Sequence, residues 1–386
     1  MVSKRRRSLV AAALCSLACM LAACATVQRA TYSATEAKRA TIDGFGEIRM
    51  WADAPPESFD RSSIKPRQQP NKPFAYLALS GGGGDGAFGA GVLNGWTETG
   101  TRPEFTIVSG VSTGALIAPF AFLGPSYDAT LKELYTSGLA SSFAASPNAF
   151  GALFGSSIFD GQPLHEAISH YATPELLQAI AIEHAKGRRL LVVTTDLDAA
   201  RPVLWDMGAI ASSPSPRALA LFRQVLTASA SAPVAFPPMM IQASADGRFI
   251  DEMHVDGGVS TQVFTFPDRL LRQPNGAKLR FAPKPAIYVI MNGRTSPAFE
   301  PVENGTRAIA VRSLSLKSKR ETRSYLAATY EYAKRNGLAF SMTSIDASVP
   351  ESPGVGFETD YMRSLYRLGY DMARSKQLWQ HSPPEL

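Results

Sequence analysis

Phe105-Thr-Ile-Val-Ser-Gly110-Val-Ser112-Thr-Gly114-Ala-Leu-Ile-Ala-Pro-Phe120 is an apolar run of strand type that stops at a serine flanked by glycines and resumes with helical spacing. The pattern predicts a strand, a sharp elbow and a helix. A helix packed back on its own strand leaves no room for a β-carbon two residues either side of the serine, which accounts for Gly110 and Gly114. The Ser112 hydroxyl would then stand at the tip, beside the first free N–H groups of the helix, where negative charge is favoured. That is a position for a nucleophile. A lone G-x-S-x-G is weak in a chain rich in Gly and Ser, so its neighbours have to carry the reading.

One strand-like run precedes it. Phe74-Ala-Tyr-Leu-Ala-Leu79 leads directly into Ser80-Gly81-Gly82-Gly83-Gly84-Asp85-Gly86, and beyond Gly86 the spacing of Phe88, Val92, Leu93 and Trp96 suits a helix face. Two strand-turn-helix units in succession predict a parallel sheet covered by helices, with functional groups at the carboxyl ends of its strands. The glycine run has three chemical readings. As a dinucleotide fingerprint it lacks an acid at the end of the next strand, since Glu104 precedes Phe105. As a phosphate loop it lacks Gly-Lys-Ser/Thr. As an oxyanion hole it fits, because glycines let backbone N–H groups face a developing charge unshielded, and the same chain offers a nucleophile elbow.

The first residues read as a processing signal. Lys4 to Arg7 are basic, Leu9 to Met20 are apolar, and Leu21-Ala-Ala-Cys24 follows. Residues 1–23 are therefore expected to be a secretory signal peptide, too short for a comfortable membrane span. The Leu-Ala-Ala-Cys ending resembles the lipobox of bacterial lipoproteins, which implies that Cys24 is acylated and holds the mature chain on a membrane. With Ala25 next, the resemblance implies a cell-envelope location, on the outer membrane facing the periplasm. Four cations of the net charge of +6 belong to this leader, so the mature chain keeps only +2. Neither that balance nor any basic and aromatic pattern supports a nucleic-acid partner. All three cysteines, Cys15, Cys19 and Cys24, also lie here, which leaves no pair for a disulfide in the mature chain.

Residues 24–72 are polar and irregular, with Pro66, Pro70 and Pro73 at the end, and read as an N-terminal tether with at most one short helix. Residues 126–186 read as several helices. Gly187 to Thr195 is a third buried strand with a hairpin partner at Pro202 to Asp206, and Arg217 to Ala230 is a helix stopped by Ser229-Ala-Ser231-Ala-Pro233-Val-Ala-Phe-Pro237-Pro238. Phe249 to Val255 approaches Asp256-Gly257-Gly258, and Ala286 to Met291 is a last strong strand. From Val302 to Asn336 a helix carries Arg312, Lys317, Lys319, Arg320 and Arg323; a solvated face is the first reading and contact with anionic lipid the second. Residues 347–386 are expected to be a C-terminal helical extension, with a helix near Asp360 to Gln380. The Gly/Ser/Phe-rich stretch 141–159 is the candidate for a mobile cover over the site.

A serine nucleophile needs a base. His165, His170 and His184 fall on ordinary amphipathic helices, and His381 lies near the chain end. His254 is the strongest of the five, sharing a strand face with Asp256, while Asp256-Gly257-Gly258 on spacing alone is a turn. Here the order of motifs decides. A Gly-Gly-Gly-x-x-Gly loop after a strand, Gly110-Val-Ser112-Thr-Gly114, the Ser-Ala-Ser-Ala-Pro segment and Asp256-Gly257-Gly258 together resemble the patatin-like phospholipases over residues 74–291.

The resemblance implies a three-layer α/β/α fold with a mainly parallel central sheet, within a catalytic domain at residues 73–346. It also implies a lipid acyl hydrolase of phospholipase A or lysophospholipase type, working on a lipid ester without a metal or cofactor. Carried over by position, Ser112 is the nucleophile and Asp256 the base in a dyad without histidine. Gly82, Gly83 and Gly84 become the oxyanion donors, with Gly81, Gly86, Gly110, Gly114, Gly257 and Gly258 as motif glycines. One departure is Asp85, where many members carry Arg or Lys, which brings negative charge near the hole. The rival readings are a Ser/His/Asp α/β-hydrolase or an acyltransferase, and a non-catalytic lipid-binding envelope lipoprotein; the oligomeric state is left open.

Overall fold

The computed structural model describes residues 29, 31–62, 64–67, 72–144, 157–273, 285–296, 299, 301–352, 356–375 and 377–384. The leader, Cys24 and most of the 141–159 stretch lie outside the described residues. The chain opens with α1 (Ala34–Arg39), β1 (Arg49–Trp51) and α2 (Pro56–Arg61), then runs through β2 (Ala75–Leu79), α3 (Gly86–Glu98), β3 (Ile107–Val111), α4 (Thr113–Leu123) and α5 (Asp128–Thr136). It continues with α6 (Gln162–Tyr171), α7 (Pro174–Ala185), β4 (Arg189–Asp196), β5 (Arg201–Asp206), α8 (Met207–Ala211), α9 (Ala218–Ala230), β6 (Met239–Ala245) and β7 (Arg248–Asp256). Then follow α10 (Asp268–Arg272), β8 (Ala286–Met291), α11 (Thr306–Asn336), β9 (Ala339–Ser344) and α12 (Thr359–Arg374).

Among the described residues the strands form one nine-stranded sheet in the order β1-β5-β4-β3-β2-β8-β9, with β7 paired to β4 and β6 to β7. Its centre is parallel from β4 to β9, and β5, β1 and β7 join antiparallel. Both faces are covered, which is why the central strands read as continuous apolar runs. In β2, Ala75, Leu77 and Leu79 pack into one core with α3, α4, α9 and α12, and Tyr76 and Ala78 into the other beneath α11. The architecture is therefore three layers, α/β/α, with a mainly parallel sheet.

Two segments are more closely built in than the sequence suggests. Residues 31–67 do more than tether: β1 pairs with β5, and Ile42, Ile48, Phe59 and Ile64 are buried in the two cores. Ile42, Phe59 and Ile64 stand among polar residues, and the apolar group Ile48, Met50 and Trp51 is too short to mark a core strand. The helix near the C-terminus, α12, lies directly on α3. A β-carbon on Gly91 would sit 2.0 Å from the Tyr366 carbonyl oxygen, and one on Gly95 2.3 Å from that of Tyr370, so small residues at this spacing let the helix backbones touch. No helix among the described residues is long and apolar enough to cross a membrane.

Candidate active site

Ser112 sits between β3 and α4 with φ 54° and ψ −124°, a left-handed conformation that a serine rarely adopts. The flanking glycines allow it. A β-carbon on Gly110 would lie 2.3 Å from the Gly114 carbonyl oxygen, and one on Gly114 would lie 2.4 Å from that of Leu79. The Ser112 amide is held by the Ser229 hydroxyl at 3.1 Å, and that hydroxyl donates to the Val193 carbonyl at 2.7 Å. Ser229 thus ties the elbow to the end of β4. It opens the Ser-Ala-Ser-Ala-Pro segment, whose second serine accepts the Asp256 amide through the Ser231 carbonyl at 3.0 Å.

Asp256 ends β7 opposite Thr194, buried beside the elbow. Burial pushes its carboxyl up to about 6, against the pull of the Ser112 side chain and of the Gly258 amide, which donates to Oδ1 at 2.7 Å. Serine and carboxylate, 144 positions apart in the sequence, thus lie close enough for the Ser112 side chain to pull the Asp256 pKa down. A carboxylate of this pKa remains ionised at neutral pH and is a stronger proton acceptor than an exposed aspartate.

The glycine loop faces the same place. Gly81 through Asp85 line a cleft of about 540 Å³ together with Ser112, Gln262 and Arg294. Gly82 has φ 158° and Gly83 φ 56°, and a β-carbon on Gly82 would fall 1.7 Å from the Asn292 carbonyl oxygen. Among the described residues no loop or turn carbonyl accepts from the amides of Gly82, Gly83 or Gly84. The loop is pinned from two sides. Gln262 accepts the Gly81 amide at 2.9 Å through its carbonyl and donates from its side chain to the Gly258 carbonyl at 3.1 Å. Asn292 donates its side-chain amide to the Ser80 carbonyl, and the Ser80 hydroxyl accepts the Asn292 amide, both at 2.8 Å.

Asp85 does not confront the hole with an unbalanced charge. Its carboxylate accepts from the Tyr361 hydroxyl at 2.6 Å and from the Arg294 guanidinium at 3.1 Å. Burial still raises its pKa, with Tyr361 and Arg294 opposing. Arg294 also donates to the Val349 and Pro350 carbonyls, at 2.9 Å and 2.6 Å, so the cation near this loop comes from the end of β8. Sequence reading missed Ser229, Gln262, Asn292 and Arg294. Only the first carried a signal, as part of a motif with no assigned task.

None of the five histidines is a hydrogen-bond partner of Ser112 or Asp256 among the described residues. His254 is buried against Thr194 at 2.9 Å and Glu252 at 3.3 Å. Asp196, Glu252 and His254 bring ligand-type atoms within 4.8 Å of one another. Arg49 already binds both Glu252 oxygens, one of them at 2.9 Å. Burial pushes Glu252 up, but hydrogen bonds from His254 and Arg49 outweigh it and bring the carboxyl down to about 2. The cluster is balanced by its arginine, so its chemistry is that of a structural ion pair.

A narrow apolar cavity of about 40 Å³ adjoins Ser112 between Leu116, Leu134, Phe143, Leu164 and Phe236, and a second of about 30 Å³ lies near it along α4, lined by Phe120 and Tyr171. Elbow, glycine loop and Asp-Gly-Gly turn therefore meet at one end of the sheet. Residues 77–266 match the family model described as patatin-like phospholipase. They form a patatin-like domain. Three solved structures are similar to the chain at low identity: VipD from Legionella pneumophila (13% identity, TM-score 0.34), the type III effector protein ExoU (12%, 0.33), and full-length ExoU in complex with SpcU, from the type III secretion system of Pseudomonas aeruginosa (13%, 0.31). The matches cover 80%, 80% and 92% of this chain and 67%, 53% and 62% of those chains. No curated protein matches the chain in sequence.

Proposed function

We propose that the patatin-like domain hydrolyses carboxylic esters of lipids by a Ser112/Asp256 dyad. The observation that carries this reading is the strained Ser112 beside a buried carboxylate whose pKa its side chain influences, facing glycine amides that no loop carbonyl occupies among the described residues. Asp256, ionised, accepts the hydroxyl proton as Ser112 Oγ bonds to the ester carbonyl carbon. The amides of Gly82, Gly83 and Gly84 receive the resulting oxyanion, and one such donor is typically worth ~10²–10³ in rate. The C–O bond of the leaving alcohol then breaks, and the alcohol takes the proton from Asp256. Water attacks the acyl-enzyme, gives its proton to Asp256, and the fatty acid leaves as Ser112 Oγ recovers that proton.

The apolar slot beside Ser112 supports an acyl chain as the held part of the substrate, with the more polar cleft taking the alcohol portion. Mass-spectrometric profiling of fatty acid and lysolipid released from phospholipid vesicles tests this. Release is expected from the parent chain and not from Ser112→Ala or Asp256→Ala. Equal release from parent and Ser112→Ala refutes it, and loss on His254→Ala with Asp256→Ala still active transfers the reading to a histidine mechanism. The Leu-Ala-Ala-Cys24 leader supports a lipid anchor in a bacterial envelope. Incorporation of labelled palmitate that disappears in Cys24→Ala is the expected result, and incorporation unchanged in that variant excludes the anchor.

A further inference from the structure

We infer that the first half of α11 is a docking surface for an anionic lipid bilayer, beside the catalytic cleft. The observation is an energetic oddity. From 306 to 321 no described side chain is buried, whereas Thr322, Leu326, Thr329 and Ala333 further along the same helix are. A helix of this length gains most of its stability from packing an apolar face, and this half packs none. Its apolar residues point to solvent instead: Ile309 is 48% exposed, Leu314 68% and Leu316 49%. Phe299, just before the helix, is 97% exposed.

Charge selects the occupant. Residues 306–323 hold six Lys or Arg and one Glu, in a chain whose remaining charges nearly cancel. Ile309, Arg312, Leu316 and Arg320 follow one another at spacings of three and four, so apolar and basic groups alternate down one face. Leucine and isoleucine sinking among acyl chains while arginine and lysine meet phosphates is how an interfacial helix binds. With Lys317 3.8 Å from Glu321 and Lys319 3.7 Å from Glu351, the segment still keeps a net positive charge, which a second protein surface would have to match with placed acids, whereas an anionic leaflet supplies it anywhere. The adjoining side of the helix walls the cleft with Ser315, Ser318, Lys319 and Thr322. A bilayer seated on the outer stripe therefore lies against the rim of the site, an arrangement that rests on the ester-hydrolase reading only for the use made of the bilayer.

Binding is separable from turnover. The probe is the full chain carrying Ser112→Ala, so that no lipid is consumed, and Leu316→Trp as a local reporter, mixed with vesicles containing brominated acyl chains. On phosphatidylglycerol/phosphatidylcholine vesicles, quenching beyond that of the chain without Leu316→Trp is expected, weakening as salt rises. Lys317→Glu with Arg320→Glu, both at exposed positions outside the cleft, should lower that local association at least about 10-fold. In a chain retaining Ser112, the same pair should leave turnover of a dispersed short-chain ester unchanged. A residue-316 reporter that stays unquenched, even if the N-terminal anchor holds the chain on the vesicle, overturns the inference. So does quenching that is equal on pure phosphatidylcholine or unaffected by the charge reversals. A reporter already shielded without vesicles, in proportion to protein concentration, assigns the face to a second copy instead. Failure of the parent chain to turn over any ester would count against the hydrolase reading and leave the docking result standing.

Discussion

Replacing Asp256 by Asn should abolish catalysis and make the folded chain more stable, by an amount that depends on pH in a defined way. Folding raises the Asp256 pKa from 3.8 to about 6, because the carboxylate is removed from water with only the Ser112 side chain and one amide in return. The folded state thus binds this proton more tightly than the unfolded state. Stability contributed by the protonated form is complete below pH 3.8 and is lost as pH rises through about 6. A shift of this size corresponds to about 3 kcal/mol. Asn carries no charge, keeps an oxygen for the Gly258 amide, and escapes the penalty at every pH. The stability advantage of Asp256→Asn should therefore be about 1 kcal/mol at pH 4.5 and about 3 kcal/mol at pH 8. Any fixed cost of fitting the amide shifts both values equally, so the change of about 2 kcal/mol between them is the quantity to measure. Urea unfolding of the two proteins in parallel at both pH values gives it, since every other titrating group is shared. An advantage that does not grow with pH would show that the carboxylate is not buried in its charged form, and the reasoning about the base would fall with it.

The remaining expectations follow from the same geometry. The kcat/KM for a soluble ester should fall below about pH 6, with unit slope, as Asp256 takes up its proton; a profile flat to pH 4 would separate the carboxylate from the chemistry. Gly82→Ala should lose folding or at least ~10²-fold in kcat, because its β-carbon meets the Asn292 carbonyl. Gly83→Ala, whose β-carbon has its nearest neighbour at 3.8 Å, should fold at a cost of about 1–2 kcal/mol in backbone strain. Thermal melts rank the two, and the reverse order contradicts the loop geometry. Ser229→Ala removes the hydroxyl between the Ser112 amide and the Val193 carbonyl, and should cost about 1 kcal/mol in stability and lower kcat with KM little changed. An unchanged kcat would remove Ser229 from the positioning of the elbow.

The elbow, the glycine loop and the Asp-Gly-Gly turn were legible in the sequence because each is a local backbone requirement written in glycine. Close approach forces Gly110 and Gly114 to be small whatever the remainder of the chain does, and the alternation of cores along β2 follows from its continuous apolar run. What stayed hidden depends on partners distant in sequence. Whether Asp85 faced the hole could not be read until Arg294 and Tyr361, more than 200 positions away, were seen to receive it. Gln262 and Asn292 are ordinary amides in sequence and become clamps only through the paths of the chain beside Gly81 and Ser80. The Gly91 and Gly95 pair was visible, but its meaning as a landing surface for α12 needed the second helix. Ile42, Phe59 and Ile64 show the reverse problem, single apolar residues in polar surroundings that become buried only against partners distant in sequence.

The most direct test is covalent capture of the nucleophile. Parent, Ser112→Ala and Asp256→Asn chains are treated with a fluorophosphonate probe and the modified residue is located by peptide mass spectrometry. The parent should carry the adduct on Ser112 alone, Ser112→Ala should carry none, and Asp256→Asn should label far more slowly while remaining folded. An adduct on another serine, or labelling of Ser112 at an undiminished rate without the Asp256 carboxylate, would contradict the dyad.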